Sequence, residues 1–112
     1  MPYTRGEVVW GPEPFKSVVR PRPWVVLSNE KHPFHGEEYL AATLTTTKRK
    51  EVIEIKEEHW IEGGAPKKSY VAPWVIITLK HGDIQEKIGK LKLDFLEKVV
   101  EDLKSYISRK ND

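Results

Sequence analysis

Seven apolar residues near the C-terminus, Phe95, Leu96, Val99, Val100, Leu103, Tyr106 and Ile107, recur at helical spacing. Residues three and four apart share one face of an α-helix. The segment is therefore an amphipathic helix whose stripe needs a core to cover it. Asp94 with Glu97 three residues on has the form of a capping box and marks the expected helix start. Asp94–Lys98 and Lys98–Asp102 are i,i+4 pairs on the wet face, the first with acid before base.

What precedes the helix has a different period. Val8-Val9-Trp10 reads as a first strand, ended by the turn-forming Gly11-Pro12. Pro12, Pro14, Pro21 and Pro23 stiffen the following loop by fixing φ. Trp24-Val25-Val26-Leu27 is a β-branched and aromatic run suited to burial on both faces. From Glu38 to Thr46 the residues alternate. Leu40, Ala42 and Leu44 share one face, while Tyr39, Ala41, Thr43 and Thr45 share the other. With the leucine face on the core, Thr45 projects away from it. Val52 to Lys56 reads as a fourth strand, and Ser69 to Leu79 as a long one with Pro73 at an edge or bulge. Strands followed by one helix argue for an α+β fold, most simply a small barrel-like sheet with the helix at its side or end.

A chain of 112 residues supports one core, so residues 1–112 read as one domain. With no cysteine, disulfides and thiolate metal sites are excluded. No stretch is apolar for long enough to be a signal peptide or a membrane span, which points to the cytoplasm. His32 and His35 meet no metal-spacing rule and read as polar loop features. No phosphate-cradling glycine loop, His-Glu-x-x-His or nucleophile elbow is present. No cofactor is called for.

The formal net charge is only +2, but its distribution is uneven. Lys16, Arg20 and Arg22 fall in one segment, and Lys48, Arg49 and Lys50 in another. Arg22 stands between Pro21 and Pro23, which hold its backbone extended. Thr43-Leu44-Thr45-Thr46-Thr47 is a threonine-rich strand end leading into the second basic run. Arginine binds phosphate bidentately, and a threonine hydroxyl both donates and accepts. An Arg and a Thr on one cleft can hold a phosphodiester without a metal. The plainer reading of a threonine tract is β-propensity alone.

At these residues the chain resembles the MazF/PemK family of toxin endoribonucleases. Arg5-Gly6-Glu7-Val8-Val9-Trp10 is similar to the family's Arg-Gly-Asp/Glu-Val-aromatic opening. Arg22-Pro23-Trp24-Val25-Val26-Leu27-Ser28-Asn29 is similar to its Arg-Pro-Val-Val-Val-Val-Ser-Asn segment. Ala42-Thr43-Leu44-Thr45-Thr46 resembles its Ala-Pro-Ile-Thr-Ser strand end, and Lys87-Ile88-Gly89-Lys90-Leu91 its Lys-Ile-Gly-Arg-Leu ending. The four pieces lie in register over nearly the whole chain. Two places depart from the pattern. Pro73-Trp74-Val75-Ile76-Ile77 stands where the family often has Asp-Gln-x-Arg, and Phe15-Lys16-Ser17-Val18-Val19 replaces a glycine-rich, Gln-containing loop.

The resemblance implies an SH3-like barrel of the CcdB/MazF/PemK type with a terminal helix. It also implies a homodimer, a cognate antitoxin, and metal-independent cutting of single-stranded RNA in the cytoplasm. Arg22 falls on the family's catalytic Arg and Thr45 on its catalytic Thr; other registers give Thr43 or Thr46 that role. Lys16, Arg20, Asn29, Thr46 and Lys48 are the implied substrate contacts. The ribose 2′-OH would attack its own 3′-phosphate, leaving a 2′,3′-cyclic phosphate. Arg22 would meet the growing charge, Thr45 would position, and the proton acceptor stays open between a histidine and a backbone carbonyl. Two competing readings keep the barrel without the chemistry. One is a toxin binding a protein such as DNA gyrase. The other is an interaction module using Trp24, Trp60 and Trp74, residues that read more simply as core or dimer interface.

Overall fold

The period-two segments fold as strands of one sheet. The computed structural model describes residues 1–14 and 20–109. The strands are β1 (Glu7–Pro12), β2 (Pro21–Val26), β3 (Glu38–Thr45), β4 (Ile53–Ile55), β5 (Trp60–Gly63), β6 (Ser69–Lys80) and β7 (Glu86–Leu91). One helix, α1 (Leu93–Ile107), follows. Neighbours run antiparallel in the order β4-β6-β3-β2-β1-β7-β5. The edge strands β4 and β5 are consecutive in the chain and joined through one 3₁₀ turn, Glu57–His59. So short a link holds the two edges near each other, and the sheet curls into a half-barrel. This is the α+β, barrel-like arrangement with a closing helix that the sequence pattern predicts. Among the described residues no helix is long and apolar enough to cross a membrane.

Five strands were expected and the described residues form seven. The additional β5 and β7 read Trp-Ile-Glu-Gly and Glu-Lys-Ile-Gly-Lys-Leu; their glycines and charges mask the alternation. Two other boundaries also move. β1 runs through Gly11 and Pro12, pairing them with Arg22 and Pro21. Gly11 leaves room there for the buried Leu79 and Trp24 side chains, since a Cβ would lie 2.9 Å from Leu79 Cδ1 and 3.3 Å from Trp24 Cδ1. Pro21-Arg22-Pro23 accordingly belongs to β2 and not to the loop.

Both faces of the sheet are covered. One carries Val8, Val25, Ala42, Leu44 and Val71 beneath Phe95, Leu96 and Val99 of α1. The other gathers Val9, Trp24, Ala41 and Leu79, with Tyr3 and Ile77 packed against them. Leu40 shares the face of Ala42 and Leu44 as expected, yet it is 42% exposed because it lies outside the area α1 covers.

A single residue, Lys92, separates the helix from β7. Lys92 is its N-cap, and the Lys92 N–H donates to the His59 carbonyl at 2.9 Å. Asp94 is therefore already inside the first turn, where its Oδ1 accepts the Phe95 N–H at 2.8 Å. The capping box with Glu97 does not form, because the strand passes directly into the helix and leaves no place for it. Lys98 pairs with Asp102 at 2.8 Å and not with Asp94. Leu96 and Val99 are fully buried, whereas Ile107 is 75% exposed. We expect Leu96→Ala to cost about 2–5 kcal/mol and Ile107→Ala less than about 0.5 kcal/mol, read as the shift in urea midpoint.

A buried carboxylate ties β1, β7 and β5 together. Glu7 accepts the Thr4 N–H at 2.5 Å and the Thr4 hydroxyl at 3.0 Å. It also pairs with Lys87 Nζ at 2.8 Å, and Lys87 reaches Glu62 at 2.6 Å. Burial pushes the Glu7 carboxyl up, but the bonds from Lys87 and Thr4 outweigh it and hold it below the ordinary 4.5. Glu62 first and Glu7 second raise the Lys87 ammonium well above its usual range. A carboxyl depressed by folding stabilises fully above its unfolded value, and that contribution is lost as pH falls through the folded one. Wild type should therefore lose stability on acidification below about pH 4.5. Glu7→Gln, less stable at neutral pH, should lose less over the same window in urea titrations.

Candidate active site

Proline lacks the N–H that a strand interior needs. The β2–β3 ladder accordingly stops at Trp24↔Thr43, next to Pro23. Continuing that register two residues along each strand places Arg22 across from Thr45 on one face. Beyond the last pair, the Arg22 side chain bridges the strands where the backbone does not. Its Nη2 donates to the Leu44 carbonyl at 3.1 Å. Its Nη1 donates to Glu13 Oε2 at 2.5 Å. Glu13 is only 8% exposed and Arg22 27%. The Arg22 Nε is buried and has no hydrogen-bond partner among the described residues. Trp24 fixes the same corner from below, its Nε1 donating to the Pro12 carbonyl at 3.1 Å.

Two hollows flank this guanidinium. One, of about 280 Å³, is lined by Glu13, Arg22, Thr45, Arg49 and Trp74 among others. The second, of about 320 Å³, shares Glu13, Arg22 and Thr45 and adds Arg20, Thr46 and Ser69. The shared residues make them one cleft with the Arg22–Glu13 pair at its centre. Three arginines against one carboxylate give the cleft a positive balance that the net charge of +2 conceals.

The three threonines differ. Thr45 is half-buried, lines both hollows, and accepts the Thr47 N–H on its Oγ1 at 3.1 Å. Thr43 is 3% exposed, and its hydroxyl donates to the Leu44 carbonyl at 3.1 Å. Thr46 is exposed and lines the second hollow alone.

Of the other residues singled out from sequence, Arg20 and Thr46 come to the cleft. Lys48 is exposed on the turn after β3 and lines neither hollow. Asn29 is not brought there either. It follows the far end of β2, where its side chain accepts the Lys31 N–H at 2.9 Å. Lys16, with the whole segment Phe15–Val19, lies outside the described residues. His32 accepts the Phe34 N–H at 3.1 Å on its Nδ1, away from the cleft. Among the described residues no group of three His, Asp or Glu is poised for a metal.

One cleft residue, Glu13, escaped the sequence reading, and a second, Trp74, entered it only in the competing interaction-module reading. Glu13 stands nine residues before Arg22 with no periodic relation to it, and its only signal is a carboxylate between two prolines. Trp74 is not in the core: it is 41% exposed and lines the first hollow. Trp24 does enter the core on one face of the sheet, and Trp60 packs half-buried against the cluster on the other.

The sequence pattern of the PemK-like, MazF-like toxins of type II toxin–antitoxin systems matches residues 4–107. The chain belongs to that family. No curated protein sequence matches it. Solved structures share the fold at low identity. An endoribonuclease from a mycobacterial species superposes with a TM-score of 0.75 at 20% identity, over 100% of this chain and 97% of that one. A mycobacterial endoribonuclease in complex with its cognate antitoxin gives 0.72 at 19%, over 98% and 97%. MazF from Deinococcus radiodurans gives 0.72 at 17%, over 97% and 99%.

Proposed function

We propose that this chain is the toxin of a type II toxin–antitoxin pair and a metal-independent endoribonuclease that cuts single-stranded RNA in the cytoplasm. The observation that carries the reading is the meeting of Arg22 and Thr45 in one cleft, at the place where the prolines end the ladder. Membership of the toxin family supports it. So does the fold shared with mycobacterial endoribonucleases.

The chemistry follows from what each side chain can do. The ribose 2′-O attacks the adjacent phosphorus, the P–O5′ bond breaks, and a 2′,3′-cyclic phosphate and a 5′-OH result. Negative charge grows on the non-bridging oxygens. Arg22, pre-set by Glu13 and the Leu44 carbonyl, presents its remaining N–H groups to them at no cost in reorganisation. Thr45 holds the phosphate or the 2′-OH in line. Among the described residues no histidine lines the cleft, while Glu13 does. Glu13 therefore takes the 2′-OH proton, and solvent returns one to the departing 5′-oxygen. A phosphate arriving on Arg22 weakens the Glu13 ion pair and frees the carboxylate for that step. The protein works as a homodimer, and its cognate antitoxin silences it by covering the basic cleft. Arg20 and Thr46 contact the flanking phosphates. Lys16, Lys48 and Asn29 remain candidate contacts through the chain outside the cleft or the partner copy.

Purified protein should cleave single-stranded RNA in EDTA and leave cyclic phosphate ends. Arg22→Ala should lower cleavage by at least about a hundredfold and relieve growth arrest on expression. Intact RNA after prolonged incubation, with gyrase cleavage complexes formed in its place, would overturn the reading. Glu13→Gln keeps the shape of the pair but cannot accept the proton. It should lower kcat by about a hundredfold or more, while affinity for a 2′-O-methyl oligonucleotide stays within a few-fold of wild type.

A further inference from the structure

The pairing of β3 with β6 is broken in an unusual way. Ala42 faces Ile76, but the next β3 residue, Thr43, faces Ala72. Three β6 residues, Pro73, Trp74 and Val75, have no partner across the ladder. Bulges of this kind bend a strand and re-aim a side chain, and they recur beside active sites. Here the effect falls on Trp74. Its neighbour Pro73 is buried, while Trp74 itself is 41% exposed and lines the hollow that holds Arg22, Thr45 and Arg49. Among the described residues, no other large exposed apolar side chain lines either hollow of the cleft.

We propose that Trp74 is a base-stacking subsite: it receives the nucleobase next to the scissile phosphate of a single-stranded RNA. This rests on the endoribonuclease reading and adds to it the means by which this chain holds its substrate. An indole beside a guanidinium that binds phosphate offers a nucleotide both of its surfaces. The base lies on the ring while the phosphate lies on Arg22. Arg49, on the same hollow, supplies a second positive charge for the next phosphate. The occupant is nucleic acid, because the rim is basic and, among the described residues, the one carboxylate lining the hollow is already paired with Arg22. Stacking is tolerant of base identity. The subsite therefore adds affinity and favours large flat bases, leaving hydrogen-bonded readout to other groups.

The test uses the full chain as a dimer, the unmodified RNA it cleaves, and the same oligonucleotide carrying 2′-O-methyl groups so that it binds without reacting. Trp74→Ala should bind the blocked oligonucleotide between about fivefold and a hundredfold more weakly, and Trp74→Phe within about threefold of wild type. Wild type is also measured on substrates with one abasic nucleotide on either side of the cut. One of the two should bind as weakly to wild type as the intact substrate does to Trp74→Ala, and combining both losses should add little. The abasic arm reads the subsite even if Trp74→Ala fails to fold. Full additivity of the two losses, or wild-type affinity and cleavage pattern in Trp74→Ala, would overturn the subsite while leaving the ribonuclease in place. So would a change in the oligomeric state of Trp74→Ala with unchanged RNA affinity. Failure of wild type to cleave any single-stranded RNA would overturn the function itself.

Discussion

The early end of the β2–β3 ladder, forced by Pro21 and Pro23, is the constraint on which the cleft depends. Without backbone donors on that side of β2, the Leu44 carbonyl has only the Thr43 hydroxyl of its own strand to accept from. A carbonyl oxygen has two lone pairs, and a buried one is satisfied best when both are used. The Arg22 side chain supplies the second donor, from across the ladder. A guanidinium half-buried in this way needs a counter-charge, and Glu13 provides it at 2.5 Å. Partnering of this kind offsets desolvation more than it adds stability. Its consequence is geometric. Arg22 is held in the cleft by Glu13 and the Leu44 carbonyl, with N–H donors to spare.

The bulge in β6 does for the other wall what the prolines do for the first. Inserting three residues opposite none tightens the bend of the sheet and turns Trp74 outward. The same curl lets the edge strands β4 and β5 follow one another through a single 3₁₀ turn. A curled sheet can pack on both faces, with α1 covering one and the Trp24 cluster filling the other. The cleft residues Arg22, Thr45 and Trp74 thus come from strand ends and irregularities, while the regular parts of the strands make the core.

Legibility from sequence tracked periodicity. The helix could be read from its stripe, and β3 from its alternation, which correctly sent Thr45 away from Leu44. β5 and β7 could not be read so, because Gly63 and Gly89 stand where backbones approach closely: a Cβ on Gly63 would lie 2.0 Å from the Ile88 carbonyl oxygen. Such residues record a packing distance and carry no pattern of their own. The missing capping box has a similar cause. Asp94 and Glu97 have the right spacing, but β7 ends only two residues before the helix.

The helix with its covered stripe and the strand-rich body before it were settled by sequence, because burial of a periodic face is a local property of the chain. Arg22 and Thr45 were singled out by the resemblance to the family's segments; the flanking prolines and the alternation of β3 fix only their local direction. Only the tertiary structure decided that Glu13 would meet Arg22 and that Trp74 would stand in the cleft and not in the core. It also decided that the last turn of the helix would go uncovered. Those outcomes depend on register between strands far apart in sequence, and register is set by the whole sheet at once.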